Sequence, residues 1–288
     1  MNDGGPAIDI DALRAWCGRT SDATDVIDAA LVERFAATLD LDAASTQQGS
    51  PAPVGIHWCL APEVAATASL GPDGHPTRGG FLPPVSLPRR MWAGGELRFS
   101  GVFTLGDTVN RLSTIEDVQI KHGRTGALCF VTVRHDYAVD GKAILSERQD
   151  IVYREAETPG AMPQATVPLD AQPASDAQRT VDANSVMLFR YSALTFNGHR
   201  IHYDRRYCLE EENYPGLVVH GPLQATVLLH LATGQADGRM PARFSFRGQA
   251  PLFDGAFTAH ARRDGDGMKL WVLDPFGRRT MQAEATWA

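Results

Sequence analysis

The stretch RYSALTFNGHRIHYD, from Arg190 to Asp204, gathers groups that move protons and hold anions. Asn197, His199, Arg200 and His202 fall in a window with no clear helical or strand period. A histidine, with an ordinary pKa near 6.5, exchanges protons at neutral pH. An asparagine neither gives nor takes a proton, but it can orient a water molecule by donating and accepting hydrogen bonds at once. His202 is therefore the candidate proton carrier, and Asn197 the group that would fix the water it acts on.

A second feature follows downstream, in YPGLVVHGPLQATVLL. Gly221 precedes Pro222 at the start of a helical pattern, and proline suits a first turn because its missing N–H would be unpaired there anyway. The remaining free N–H groups and the positive end of the helix dipole point out of that start. Gly221 has no side chain to obstruct an incoming carbonyl, so its N–H is a candidate oxyanion donor.

These groups need a scaffold. Residues 11–41 read as helical, with Leu13, Trp16 and Cys17 on one face and the apolar residues of DVIDAALVERFAATLDL at three- and four-residue steps. Residues 43–95 carry too much Gly and Pro for long regular elements. From Gly95 to Tyr153 the chain reads as an antiparallel meander punctuated by KHGRTG and VDGK. This gives a first unit over 1–154: a helical extension followed by a strand-rich domain. Residues 155–182, polar and rich in Pro and Ala, read as a linker. The second unit, 183–288, begins with a strand in SVMLFRY. It continues through an all-apolar, hence buried, helix over HGPLQATVLLHLATG and closes with four strands. A faint repeat links RFSGVFTLGD (98–107) to RFSFRGQAPLFDG (243–255). Strands wrapped about one long helix make an α+β layout, complete in the second half and lacking its helix in the first.

The chain has 288 residues, is 43% hydrophobic and carries a formal charge of −7. That supports a large core or two modest ones, and without a basic cluster it excludes nucleic acid as an expected partner. The acidic start MNDGGPAIDIDALRAW is not a signal peptide, and no apolar run is long enough to span a bilayer. Four scattered cysteines show no metal spacing, which fits reduced thiols in the cytoplasm.

The Asn197–His202 loop resembles the hydratase motif of the MaoC-like, R-specific enoyl-CoA hydratases and dehydratases, which have the hotdog fold. That motif reads roughly G-D-x-N-P-L-H. Aligned on the histidine, it sets His202 at the catalytic histidine and Asn197 at the catalytic aspartate, with His199 at the motif's asparagine and Arg200 at its proline. The departures are themselves similar to a subgroup of two-hotdog hydratases acting on mesaconyl-C4-CoA or itaconyl-CoA, and to the related fatty-acid dehydratases. LRAWCGRTSDATDVI, GPDGHPTRGGFLPPVSLPRR, RRMWAGGELRF, FNGHRIHYD and YPGLVVHGPLQATVLL carry that likeness over nearly the whole chain. It implies a double hotdog with a degenerate N-terminal unit, an acyl-CoA substrate, no metal or other cofactor, and a homodimer of such chains. It also implies a mechanism: His202 takes a proton from water held by Asn197 and delivers one to C2, while Gly221 stabilises the thioester oxygen. His220 braces the turn, and His199 is the alternative base. A dicarboxylic acyl group would need an arginine, with Arg200 nearest and Arg90 and Arg247 behind it. Trp92 and Phe81 are candidates for the acyl pocket. The competing readings are a fatty enoyl-CoA or 3-hydroxyacyl-ACP dehydratase, a hotdog thioesterase, and a non-catalytic acyl-CoA binding module. The thioesterase lacks support because no carboxylate follows Gly221 on its helix.

Overall fold

The computed structural model describes residues 8–42, 45–123, 126–155 and 173–287. Ten strands run in chain order: β1 (Thr20–Val26), β2 (Arg89–Phe99), β3 (Thr108–Gly123), β4 (Gly126–Val139), β5 (Lys142–Arg154), β6 (Ala177–Ala183), β7 (Arg243–Gly248), β8 (Gly255–Asp264), β9 (Gly267–Leu273) and β10 (Arg279–Thr286). They form one continuous sheet in the order β1-β3-β4-β5-β2-β7-β10-β9-β8-β6. Read from each edge inward, both halves follow the same first-third-fourth-fifth-second order. The halves meet where β2 pairs antiparallel with β7, from Gly94↔Arg247 to Arg98↔Arg243. A pseudo-twofold axis through the Glu96–Ser245 pair therefore relates them. The repeat seen in the letters is present in the topology but in another register, since Arg98 and Arg243 face each other across the seam.

Among the described residues five α-helices accompany the sheet: α1 (Ile10–Arg14), α2 (Ala29–Thr38), α3 (Ser185–Leu194), α4 (Arg205–Glu210) and α5 (Gly221–Gly234). α5 packs across β8, β9 and β10 and is buried on every side, from Leu223 through Leu229 and again at Ala232 and Thr233. The first half has only a 3₁₀ turn, Ile56–Cys59, beside α5, where Gly55 abuts Thr226. The result is a double hotdog with one complete helix.

Three local expectations are corrected. Residues 11–41 are not continuously helical: β1 lies between α1 and α2 and pairs with β3 from Thr20↔Thr114 to Val26↔Thr108. The end of the expected linker is β6, which pairs with β8, while residues 156–172 of that linker lie outside the described residues. SVMLFRY is helix rather than strand. The Asn184 side chain caps it by accepting from the Val186 and Met187 N–H groups, and Met187, Leu188, Tyr191 and Ser192 form its buried stripe.

In the first half a polar cluster centred on Glu147 is buried within the core. Glu147 is fully buried and accepts from Trp58 Nε1 at 2.7 Å, Gln149 Nε2 at 2.8 Å and the Tyr137 hydroxyl at 3.2 Å. Burial raises its pKa. Glu147→Ala leaves those donors without an acceptor and is expected to cost about 2–3 kcal/mol in denaturant unfolding. Glu147→Gln, which keeps an acceptor, should cost less than half of that. Equal losses would show that the carboxylate itself, accepting through both oxygens, sets the cost, because glutamine fills the same space but offers a single acceptor.

Candidate active site

α3 and α5 are tied together at the site. α3 ends as Phe196 turns into the left-handed region at φ 50°, which releases Asn197 to start the loop that carries His199 and His202. The Ser192 hydroxyl on α3 lies 2.8 Å from His220 Nε2, and His220 is the residue that precedes the first turn of α5. His202 stacks on His220 with ring centroids 3.6 Å apart and an interplanar angle of 18°. Its Nδ1 lies 2.7 Å from the Val218 carbonyl oxygen. A carbonyl only accepts, so Nδ1 carries the proton and Nε2 keeps its lone pair. Burial, opposed in part by that hydrogen bond, lowers the His202 pKa to about 4. His202 is thus neutral at pH 7 with Nε2 unprotonated, the state a general base needs.

Asn197 Oδ1 accepts the His199 backbone N–H at 3.0 Å. The loop therefore engages one side of the amide, which leaves Nδ2 to donate. The His199 ring stands edge-on to His202 at 5.5 Å, and burial holds its pKa well below the ordinary value.

No side chain caps α5, so the N–H groups of its first turn remain available for an oxyanion. Gly221 is required there by a neighbour: a Cβ on it would stand 2.6 Å from Trp92 Cε3. Trp92, on β2, stacks on Phe246 at 4.5 Å and meets Trp58 edge to face at 5.9 Å. The first half of the molecule thus supplies an aromatic wall over the helix start of the second.

The sequence reading missed the other participants in this wall. The Gly- and Pro-rich stretch lies against the Asn197–His202 loop with Gly74 and Gly198 back to back. A Cβ on Gly198 would come 2.7 Å from the Gly74 carbonyl oxygen, and one on Gly74 would overlap that of Gly198. The Arg200 N–H donates to the Asp73 carbonyl at 2.9 Å. This clamp sets the His75 ring against His199 at 4.1 Å, and Asp73 Oδ2 lies 2.9 Å from His75 Nδ1. Four imidazoles, His75, His199, His202 and His220, therefore run in an unbroken chain to the start of α5.

Residues 55–254, which include all four histidines, match the family model "Hydroxyacyl-thioester dehydratase type 2". The chain belongs to that family. It is a hydro-lyase of the MaoC-like type. Mesaconyl-C(4)-CoA hydratase of Chloroflexus aurantiacus is 45% identical over 271 residues, covering 93% of this chain and 95% of that protein. Among solved structures, a MaoC-like dehydratase from Phytophthora capsici superposes with a TM-score of 0.70 at 12% identity, covering 97% and 99% of the two chains. A conserved hypothetical protein of Mycobacterium tuberculosis with a double hotdog fold superposes with a TM-score of 0.57 at 14% identity, covering 93% and 95%. At such identities these two bear on the fold alone, and they agree with the pseudo-twofold sheet.

Within this dehydratase-family site the three candidate arginines separate. Arg200 is committed: Nε and Nη2 donate to Asp204 Oδ2 at 3.0 and 2.8 Å, and Nη1 donates to the Pro72 carbonyl at 3.0 Å. Its work is to hold the Gly- and Pro-rich loop. Arg247 is exposed on the face of β7 opposite Phe246, so the sheet separates it from Trp92 and α5. Arg90 is half-buried two residues before Trp92 on the same face of β2, opposite the buried Tyr153 of β5. Its charge reaches both His75 and His199. Phe81 packs with Val85 and Leu87 in a separate apolar cluster on the first half.

The tautomer and burial of His202 fix a pH dependence. A base works only when unprotonated, so with His202 in that role kcat/KM for an enoyl thioester should stay level as pH falls through 6.5 and decline only toward about 4. An acid limb centred between 6 and 7 would mean that His202 is not the base or is solvated in the free enzyme.

Proposed function

We propose that this chain adds water to the double bond of a short dicarboxylic enoyl-CoA, with mesaconyl-C4-CoA as the first choice and citramalyl-CoA as the product. His202 Nε2 removes a proton from a water that the Asn197 amide orients. The water oxygen bonds to C3, the C2–C3 π electrons move toward the thioester, and its oxygen gains negative charge. The N–H groups at the start of α5 stabilise that charge; one donor of this kind is worth on the order of 3 kcal/mol of barrier. The His202 imidazolium then returns a proton to C2, so that one water has been added and the base is restored. The observation that carries this reading is the Nδ1 contact to Val218, which leaves Nε2 as the only basic nitrogen of His202. The substrate choice draws on the 45% identity to the Chloroflexus enzyme.

A thioesterase needs a carboxylate or hydroxyl to activate water at the thioester carbon. Gln224, the polar residue of the first turn of α5, is buried and its Oε1 accepts from the Thr280 hydroxyl. The test is to incubate the full chain with mesaconyl-C4-CoA, itaconyl-CoA and crotonyl-CoA, following both the conjugated absorbance and free thiol. Hydration removes the absorbance without releasing thiol. Thiol release, or no turnover of any of the three, would overturn the proposal. Itaconyl-CoA also bears a free carboxylate and is the second choice. The free Cys59, Cys129 and Cys208 are buried and suit a reducing cytoplasm, where we place the enzyme; among the described residues no helix is long and apolar enough to cross a membrane.

A further inference from the structure

The arginines around the catalytic loop are nearly all balanced. Arg89 pairs with Glu212, Arg200 with Asp204, Arg205 with Asp254, and Arg243 with Glu96. Arg78 donates to the Val85 and Pro88 carbonyls. Among the described residues no carboxylate pairs with Arg90. It stands on the same face of β2 as Trp92, opposite Tyr153 of β5, beside the Tyr153 hydroxyl, and its charge is felt at His75 and His199. Two residues farther along the same face is Trp92, whose ring meets the oxyanion turn at Gly221.

Asp73, which the clamp places in this cluster, is already engaged. Its Oδ1 accepts the His75 backbone N–H at 3.0 Å and its Oδ2 faces His75 Nδ1 at 2.9 Å. Asp73, His75 and His199 also have the composition of a metal site, with candidate ligand atoms within 4.8 Å of one another. The charges of Arg90 and Arg78 oppose a divalent cation there, and with the imidazoles neutral the local balance is positive. That charge balance favours an anion over a cation.

We infer that Arg90 is the residue that recognises the free carboxylate of the substrate, with the Asp73-braced His75 and His199 as the polar wall that seats it. This rests on the substrate class proposed above and adds which residue reads it. A guanidinium presents a planar pair of N–H donors to a carboxylate. In a butenedioyl thioester the carboxylate sits two carbons beyond the thioester carbonyl, so the group that binds it must lie beside the oxyanion turn. Arg90 lies on the same face of β2 as Trp92, which meets that turn, whereas Arg200 is turned to Asp204 and Arg247 lies behind the sheet. The Gly74–Gly198 contact explains how a loop of the first half is held there.

The test uses the full chain and a ratio, which separates recognition from folding and from CoA binding. The kcat/KM for mesaconyl-C4-CoA is divided by that for crotonyl-CoA, which bears the same CoA but has no carboxylate. Arg90→Gln is expected to lower this ratio by on the order of 100-fold, as loss of a charge-assisted pair does. Arg90→Lys, which keeps the charge but not the fork, should recover part of it. In parallel, the competitive inhibition constants of succinyl-CoA and butyryl-CoA, which differ by carboxylate against methyl, should converge in Arg90→Gln. If Arg90→Gln lowers both substrates equally and leaves the inhibitors as far apart as in the wild type, the subsite assignment is wrong, whatever the substrate. If the wild type itself turns over crotonyl-CoA and no dicarboxylic thioester, the proposed substrate class has failed, and the subsite with it.

Discussion

His202→Ala should lower kcat for hydration by a factor of about 10² to 10⁴, the usual worth of a positioned general base. His202 is buried, stacks on His220 and is in hydrogen-bond contact with Val218, so alanine also removes packing and strands a carbonyl. His202→Asn separates the two effects: its amide nitrogen can still donate to Val218, yet it has no basic atom. Both variants should lose rate to the same extent, with the asparagine closer to wild type in melting temperature. The neighbouring ring provides the alternative. If His202→Asn keeps most of its kcat while His199→Asn loses it, the base is His199, whose ring lies 5.5 Å away.

What the sequence made legible depends on whether a signal is local. α5 was readable because Pro222 at its start and apolar residues on all sides leave no other reading. The meander β3–β4–β5 was readable because turn residues and period-two alternation agree. The two strands that were missed, β1 and β6, are the two edges of the ten-stranded sheet. TSDATDV is exposed or half-buried along its whole length, so it carries no apolar alternation, and its pairing with β3 supplies the order that its side chains do not encode. Polar edges of this kind also protect the sheet from pairing with other chains. SVMLFRY reads as a strand on the strength of Val186, Phe189 and Tyr191, and the Asn184 cap outweighs that preference. In the site, His202, Asn197, His199, His220 and the Gly221 turn lie close enough in sequence to be read as a cluster. His75 and Asp73 are distant in sequence. They join the cluster through a backbone contact between Gly74 and Gly198, and no spacing along the chain signals a tertiary contact between two glycines. For a related reason, sequence distance does not order the arginines. Arg200 is nearest in sequence, but Asp204 one helical turn on is its natural partner.

Asn197→Asp is the sharpest probe of the substrate. The replacement is nearly isosteric and restores the residue of the commoner hydratase motif. Asn197 Oδ1 accepts the His199 N–H at 3.0 Å, and an aspartate oxygen can accept the same hydrogen bond, so the loop should keep its course. What changes is charge. A carboxylate beside the imidazoles favours protonation of His202, which moves the acid limb to higher pH for every substrate and cancels in any ratio between substrates. With a dicarboxylic thioester there is an additional effect. The substrate's own carboxylate would face a second negative charge, and at about 4 Å with an effective dielectric near 20 the repulsion is on the order of 4 kcal/mol. The new carboxylate would also compete for Arg90. Asn197→Asp should therefore reduce kcat/KM for mesaconyl-C4-CoA relative to crotonyl-CoA by about 10² to 10³. Asn197→Ala should lower kcat for both with little change in KM, because orientation of the water matters mainly in the transition state. If aspartate affects the two substrates equally, no carboxylate lies near position 197. A plain fatty enoyl thioester would then fit this site better than a dicarboxylic one.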